Sequence, residues 1–161
     1  MIFITVGSQK FQFDRLLKAV DSLIKKGAIT EKVFAQTGYC EYVPKNYEYK
    51  SFLDRDEFAD MVEQSEIIIT HGGTGAIIGA VKNHKKVIAV PRRAMFGEHV
   101  DDHQLQLVGQ FKELNLIYEC RDCDELGEAV KRVKNMAFNE YHSNTKRIVA
   151  SIDKFLTEGV K

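Results

Sequence analysis

Proline is scarce in this chain, with two residues in 161, and neither sign of charge prevails: 23 Lys and Arg stand against 23 Asp and Glu. Nothing in that composition suggests disorder or low complexity. The balance also removes the basic field that draws nucleic acid or an anionic membrane surface, and no block of five or more like charges breaks it. Long hydrophobic runs are missing too. Met1–Ile4, Ile67–Ile69 and Val87–Pro91 are strand-length, far below the ~20 apolar residues of a bilayer-spanning helix. The first residues, Met-Ile-Phe-Ile-Thr-Val-Gly, lack the basic region of a signal peptide. The expectation is a cytoplasmic protein with no membrane segment of its own and no nucleic-acid partner. Cysteine is sparse and odd in number: Cys40, Cys120 and Cys123 fit reduced thiols. Cys120-Arg121-Asp122-Cys123 has redox or zinc spacing, but it opens no helix after a strand and has no second pair. It reads as two isolated cysteines in a loop.

What the chain does have is alternation of element types. Short apolar, β-rich runs at Ile2–Val6, Val33–Gln36, Glu66–Thr70, Lys86–Val90 and Leu116–Tyr118 predict strands, with a shorter one near Tyr47–Lys50. Apolar residues at helical spacing from Phe13 to Lys26 predict a helix stopped by Gly27. Asp54 with Glu57 predicts a capping box opening another, which also explains the Asp54-Arg55-Asp56 match to the Asp-x-Asp of metal-dependent sugar transferases. Further helices are expected over Ala76–Lys82, from Asp101 or Asp102 to about Leu114, over Asp124–Met136 and over Thr145–Leu156. Strands that are continuously apolar and alternate with helices imply an α/β fold: a Rossmann-like parallel sheet with helices on both faces, forming one domain over residues 1–161. In such sheets ligands sit at the carboxyl ends of the strands. Three segments of interest follow Val6, Thr70 and Val90.

His71-Gly72-Gly73-Thr74-Gly75 is the most informative of them. Glycines between a strand and a helix let a ligand approach the backbone, and the free amides of the helix start favour a phosphate. Thr74 adds a hydroxyl, and His71 is expected to add a ring donor. No Gly-x-x-x-x-Gly-Lys-Ser/Thr and no Gly-x-Gly-x-x-Gly is present. Gly7-Ser8-Gln9 suits a diphosphate or sugar over the first strand, and suits a plain strand-to-helix turn equally well. Glu98-His99-Val100-Asp101-Asp102-His103-Gln104 pairs acceptors with an amide, as recognition of vicinal sugar hydroxyls requires. A metal reading of His99, Asp101 and His103 is weaker, because adjacent positions at a helix start scatter the side chains. Arg92 and Arg93 fit either phosphate neutralisation or surface charge. His84 and His142 read as surface residues.

Taken together, Ser65–Gly75, Pro91-Arg92-Arg93 and Glu98–Gln104 resemble the C-terminal domain of family 28 glycosyltransferases, and especially its small one-domain, Alg13- and PssE-like members. The similarity runs from Ile2 to about Tyr118. It implies the C-terminal half of a GT-B glycosyltransferase, binding a UDP-sugar as substrate with no metal and no cofactor. In that pattern Gly7, Ser8 and Gln9 line the diphosphate and sugar side, and Phe52 and Leu53 form the loop that holds uracil. His71, Gly72, Gly73 and Thr74 form the phosphate-binding helix start. Asp102, His103 and Gln104 read the donor sugar. Relatives often carry a Glu at the position of Gly79, so ribose would be held differently here. A GT-B cleft needs two halves, so the resemblance implies a membrane-anchored partner of the Alg14 or PssD kind that carries the acceptor and recruits this chain to the inner face of the membrane. The catalytic base falls to that partner or to His99 or His103. The expected function is inverting transfer of a hexose from a UDP-sugar to a lipid-linked saccharide in polysaccharide assembly. A non-catalytic regulatory subunit and a metal-dependent hydrolase are the alternatives.

Overall fold

Side-chain alternation within the apolar strands decides how the sheet is covered. In β1 (Ile2–Thr5), Ile2 and Ile4 enter one core and Phe3 the other, because successive strand residues face opposite ways. β4 (Ile67–His71) and β5 (Lys86–Val90) repeat the division: Ile67, Ile69, Ile88 and Val90 join Ile2, while Ile68, Val87 and Ala89 join Phe3. A strand apolar on both faces needs helices over both. On one side α1 (Asp14–Lys25) brings Leu16, Leu17 and Val20, and α5 (Leu126–Val133) brings Leu126, Ala129 and Val130. On the other, α2 (Arg55–Gln64), α3 (Thr74–Lys82) and α4 (His103–Glu113) bring Val62, Ile77 and Phe111. Ile152 of α6 (Thr145–Glu158) closes that layer. Each large aliphatic or Phe side chain buried this way contributes about 1.5–3 kcal/mol.

The computed structural model describes residues 1–142 and 145–158, the side chains of 145–149 excepted. Residues 143–144 and 159–161 of the expected domain lie outside the described residues. With β2 (Val33–Gln36), β3 (Glu48–Lys50) and β6 (Tyr118–Glu119), the sheet has six strands in the order β3-β2-β1-β4-β5-β6, all parallel. The expected α/β class is the observed one. The chain travels outward from β1 to β3 and then returns to β4 on the other side of β1. That reversal leaves a crevice at the carboxyl ends of β1 and β4, where such sheets bind ligands. Thr5 pairs with Thr70 there, so the loops after the two strands start side by side.

Several boundaries differ from the sequence expectation: β4 is Ile67–His71 rather than Glu66–Thr70, α3 begins at Thr74 rather than Ala76, α5 ends at Val133 rather than Met136, and two more have a visible cause. The strand expected at Leu116–Tyr118 begins only at Tyr118: Asn115, with φ of 51°, ends α4, and Leu116 and Ile117 pack into the core before the chain reaches its partner Ile88. The helix expected from Asp124 begins as a 3-10 turn, Cys123–Glu125, and becomes α-helical at Leu126. Among the described residues no helix is long and apolar enough to cross a membrane.

Candidate functional site

A cavity of about 1080 Å³ opens in the crevice between the β1 and β4 loops. Of the residues singled out in the sequence, Gly7, Ser8, Gln9, His71, Gly72, Gly73, Thr74, His99, His103 and Gln104 line it. Segments 64 to 97 positions apart in the chain, counted from Gly7 to His71 and to Gln104, are thus brought to one wall. Phe52, Leu53 and Asp102 are not part of that lining.

His71 lines it as a largely buried ring, held by missing side chains around it. A Cβ on Gly73 would lie 2.2 Å from His71 Nε2, and one on Gly7 would lie 2.7 Å from Cε1. Gly7 also has φ of 79°, a left-handed conformation that side chains disfavour. Gly72 answers a different need, since a Cβ there would meet Gln104 Cβ at 2.7 Å. The turn is therefore pressed against the imidazole on one side and α4 on the other. The Thr70 hydroxyl donates its one proton to the Thr5 carbonyl at 3.0 Å, so the 3.3 Å contact between Thr70 Oγ1 and His71 Nδ1 has the ring nitrogen as donor. Nε2 then carries the lone pair, and no described residue hydrogen-bonds it. Burial, with Arg92 and His99 nearby, pushes the His71 pKa down to about 4. The ring donor expected from the sequence is therefore absent in the neutral imidazole: Nε2 is an acceptor.

Directly after this ring α3 begins without a cap. Gly73 occupies the N-cap position and offers no side-chain hydrogen bond, although Thr74, Gly75 and Ala76 all line the cavity. First-turn amides have no partner within their helix, and their partial positive charge faces the cavity. No carboxylate lies in the first turn to neutralise it.

Gln104 pins this arrangement from α4. Its Oε1 accepts from the amides of Gly72 and Arg92, both at 3.0 Å, tying the loop after β4 to the end of β5. With the carbonyl so used, the side-chain NH2 is what Gln104 can offer a ligand. Arg92 is neither surface charge nor a cavity-lining group. It is fully buried, its Nη2 donates to the carbonyls of Val6 at 2.7 Å and Phe11 at 3.1 Å, and its Nε and Nη1 have no partner among the described residues. It fixes the loop that carries Gly7, Ser8 and Gln9. Arg93 turns to Asp102, with Nε 3.6 Å from Oδ1.

The Glu98–Gln104 segment divides its polar groups between structure and cavity. Glu98 is buried, takes the Arg15 guanidinium at 2.9 and 3.0 Å, and accepts from the Arg93 amide. The Asp102 carboxylate accepts from the Ala94 amide at 2.9 Å, which holds it out of the cavity wall expected to read sugar hydroxyls. Asp101 does line the cavity, between two imidazoles: Oδ1 lies 3.2 Å from His99 Nδ1 and Oδ2 lies 3.8 Å from His103 Nδ1. The His99 contact is close but out of line for a hydrogen bond. The His103 amide holds the Asp101 carboxyl below its usual range. The scattering expected of these three side chains does not occur. Even so, among the described residues no group of three His, Cys, Asp or Glu side chains is arranged to hold a metal ion.

On the far side, the Leu53 amide donates to Gln36 Oε1, and Phe52 packs edge-on to Tyr39 with ring centroids 5.2 Å apart. The uracil loop drawn from the resemblance thus stands beside the cavity rather than in its wall. The structure adds Thr5, Gln36, Arg55, Glu63 and Lys85 to the lining. Thr5, which ends β1, carried a signal, being a polar residue closing an apolar strand. Asp54 caps α2 as expected. Cys120 and Cys123 flank the short connection after β6 with their thiols buried in the core, and burial pushes both up to about 12, leaving no reactive thiolate.

Residues 1–157 match the model of the glycosyltransferase family 28 C-terminal domain, and the chain belongs to that family. Over 71 residues it is 32% identical to the UDP-N-acetylglucosamine transferase subunit ALG13 of Candida glabrata, a stretch that makes up 44% of this chain and 34% of the relative. Over 67 residues it is 33% identical to the subunit of the same name from Eremothecium gossypii, covering 41% and 31%. The matched stretch thus spans about a third of these relatives' length. Among solved structures, the glycotransferase of kitacinnamycin superposes with a TM-score of 0.61 at 14% identity, covering 95% of this chain and 38% of that one. MurG of Acinetobacter baumannii does so with a TM-score of 0.58 at 16% identity, covering 82% and 41%. At such identities the likeness concerns the fold alone, which is the Rossmann-like C-terminal half of a GT-B glycosyltransferase.

Proposed function

We propose that this chain is the UDP-sugar-binding, catalytic half of a two-component glycosyltransferase, passing a hexose to a lipid-linked saccharide in polysaccharide assembly. The observation that carries the proposal is the uncapped start of α3, opening onto the cavity at the sheet's switch point in a chain of a glycosyltransferase family. Diphosphate oxygens would take the amides of Thr74, Gly75 and Ala76, with the Thr74 hydroxyl alongside. Gly7, Ser8 and Gln9 would cover the donor from the β1 side, and the Gln104 amide would reach the sugar. No metal or cofactor is assigned to this site; the amide cluster would supply the positive charge. That related proteins are named subunits of a UDP-N-acetylglucosamine transferase supports both the nucleotide and a second protein. The second protein, membrane-anchored, would bring the acceptor and hold this chain at the cytoplasmic face.

In the reaction the acceptor hydroxyl oxygen attacks the anomeric carbon from the side opposite the diphosphate. The carbon–oxygen bond to UDP breaks, its electron pair leaves with UDP, and the acceptor proton passes to a base. Amides fixed before the reaction stabilise the charge growing on the departing diphosphate without reorganising. His99 and His103, oriented by Asp101, are the base candidates on this chain; a base must come within hydrogen-bond reach of the acceptor hydroxyl.

UDP is expected to raise the melting temperature of the purified chain, by the equivalent of about 2.7 kcal/mol at a hundredfold excess over Kd, while NAD leaves it unchanged. Absence of any shift with uridine nucleotides contradicts the proposal. With the partner present, a Gln104→Ala chain that still joins the complex but transfers no sugar marks the chain as catalytic. Undiminished transfer assigns it a regulatory role.

A further inference from the structure

Resting on the donor-binding reading, we infer that a diphosphate entering at the start of α3 draws a proton from solvent onto His71 Nε2, so that donor binding and protonation of this one ring are a single coupled event. The geometry leaves little else for the ring to do. Its Nδ1 proton is committed to Thr70 Oγ1, whose own proton is committed to the Thr5 carbonyl, so the tautomer is fixed with the lone pair on Nε2. That atom lies against Gly73, the residue from which α3 starts, and beside Gly7 across the crevice. An anion held by the first-turn amides of α3 therefore comes up against a lone pair. Left unprotonated, the pair repels. With one proton added it becomes a charge-assisted hydrogen bond from a ring that is largely buried, where such bonds are stronger than in water.

The surroundings explain why the proton waits for the ligand. The groups that act on the ring's charge are the Thr5 carbonyl from β1, the Arg92 guanidinium from the segment after β5 and the His99 ring from the segment before α4. Two of these three are cationic or able to become so, and no carboxylate is among them. Of the acids on that segment, Glu98 is committed to Arg15 and Asp101 lies between His99 and His103. In the empty cavity a charged His71 would face Arg92 with nothing to offset it, and burial adds to the penalty. The entering diphosphate supplies the missing counter-charge, and its attraction for the proton outweighs the cost of burial. A proton loaded in this way then stands beside the diphosphate as its charge grows during bond breakage.

The test is titration calorimetry of the full chain with UDP-glucose, whose diphosphate diester does not itself titrate between pH 5.5 and 7.5. Measurements in two buffers of different ionisation enthalpy count the protons exchanged. Uptake approaching one proton is expected, with affinity rising as pH falls, by up to about tenfold per pH unit. Uridine, lacking the diphosphate, is expected to bind without uptake, as is UDP-glucose to His71→Asn. Tight UDP-glucose binding with no proton exchange and no pH dependence overturns the inference and leaves the donor-binding reading standing. If UDP-glucose fails to bind at any pH, both fall. Ring 15N shifts of His71 in the unsubstituted protein give the same answer without a variant. A bound ring with both nitrogens protonated supports the coupling, and a bound ring that keeps its Nε2 lone pair ends it.

Discussion

Two helices of nearly equal length begin in opposite ways. α2 is closed at its start: Asp54 Oδ1 accepts from the amides of Asp56 and Glu57 at 2.9 Å, and Glu57 returns a carboxylate to the Asp54 amide at 3.0 Å. α3 has Gly73 in the same position and no cap at all. A side-chain cap contributes about 1 kcal/mol, so α3 forgoes stabilisation that α2 takes. The capped α2 start is exposed, although its Arg55 reaches the cavity, whereas the α3 start opens onto that cavity with no cap and its turn is braced by Gln104, which also holds the Arg92 amide. On the donor-binding reading proposed above, a helix end without caps of its own but held by its neighbours is one kept ready for a ligand.

That contrast can be broken most severely through Gln104. Gln104→Leu removes the acceptor for two buried amides, those of Gly72 and Arg92. At roughly 1–3 kcal/mol for each orphaned group, a loss of about 4 kcal/mol in chemical denaturation is expected, together with loss of the UDP response. Gly73→Ala acts more locally, because its methyl would lie 2.2 Å from His71 Nε2. Overpacking of this kind should cost about 3 kcal/mol and displace the ring from the turn, which denaturation and a UDP thermal shift report separately.

Acid gives a graded version of the same break. The His71 pKa is depressed from 6.5 to about 4 in the folded chain. Folding therefore excludes a proton, and the stability this confers is complete above pH 6.5 and lost as pH falls toward 4. The loss should amount to about 3 kcal/mol. His71→Asn flattens that part of the stability profile. The smallest effect sharpens the contrast from the other side: Asp54→Ala should cost about 1 kcal/mol and leave UDP affinity unchanged, since the α2 cap serves only its helix.

The fold and the α3 start were legible because their signals are local. Continuous apolar strands with helices between them specify a doubly covered parallel sheet, and His71–Gly75 holds its strand end, turn and helix start within five residues. The fates of the charges were not legible in the same way. Arg92, Glu98 and Asp102 are all charged residues of one segment between β5 and α4, yet two are fully buried and the third turns to a backbone amide. Their partners, Val6, Arg15 and Ala94, come from the β1 side or from a 3-10 turn at Ala94–Phe96 that no periodicity announced. Nor does a sequence reveal which atom of a histidine carries its proton. For His71 that follows only once Thr5 and Thr70 are side by side.

The most direct test of the open helix start is a 15N-resolved titration of the chain with UDP, read amide by amide. The largest shifts are expected at Thr74, Gly75 and Ala76, with smaller ones at Gly7, Ser8 and Gln9, while the capped amides of Asp56 and Glu57 stay still. A titration in which UDP binds but leaves Thr74–Ala76 unmoved would contradict the assignment of that helix start to the diphosphate.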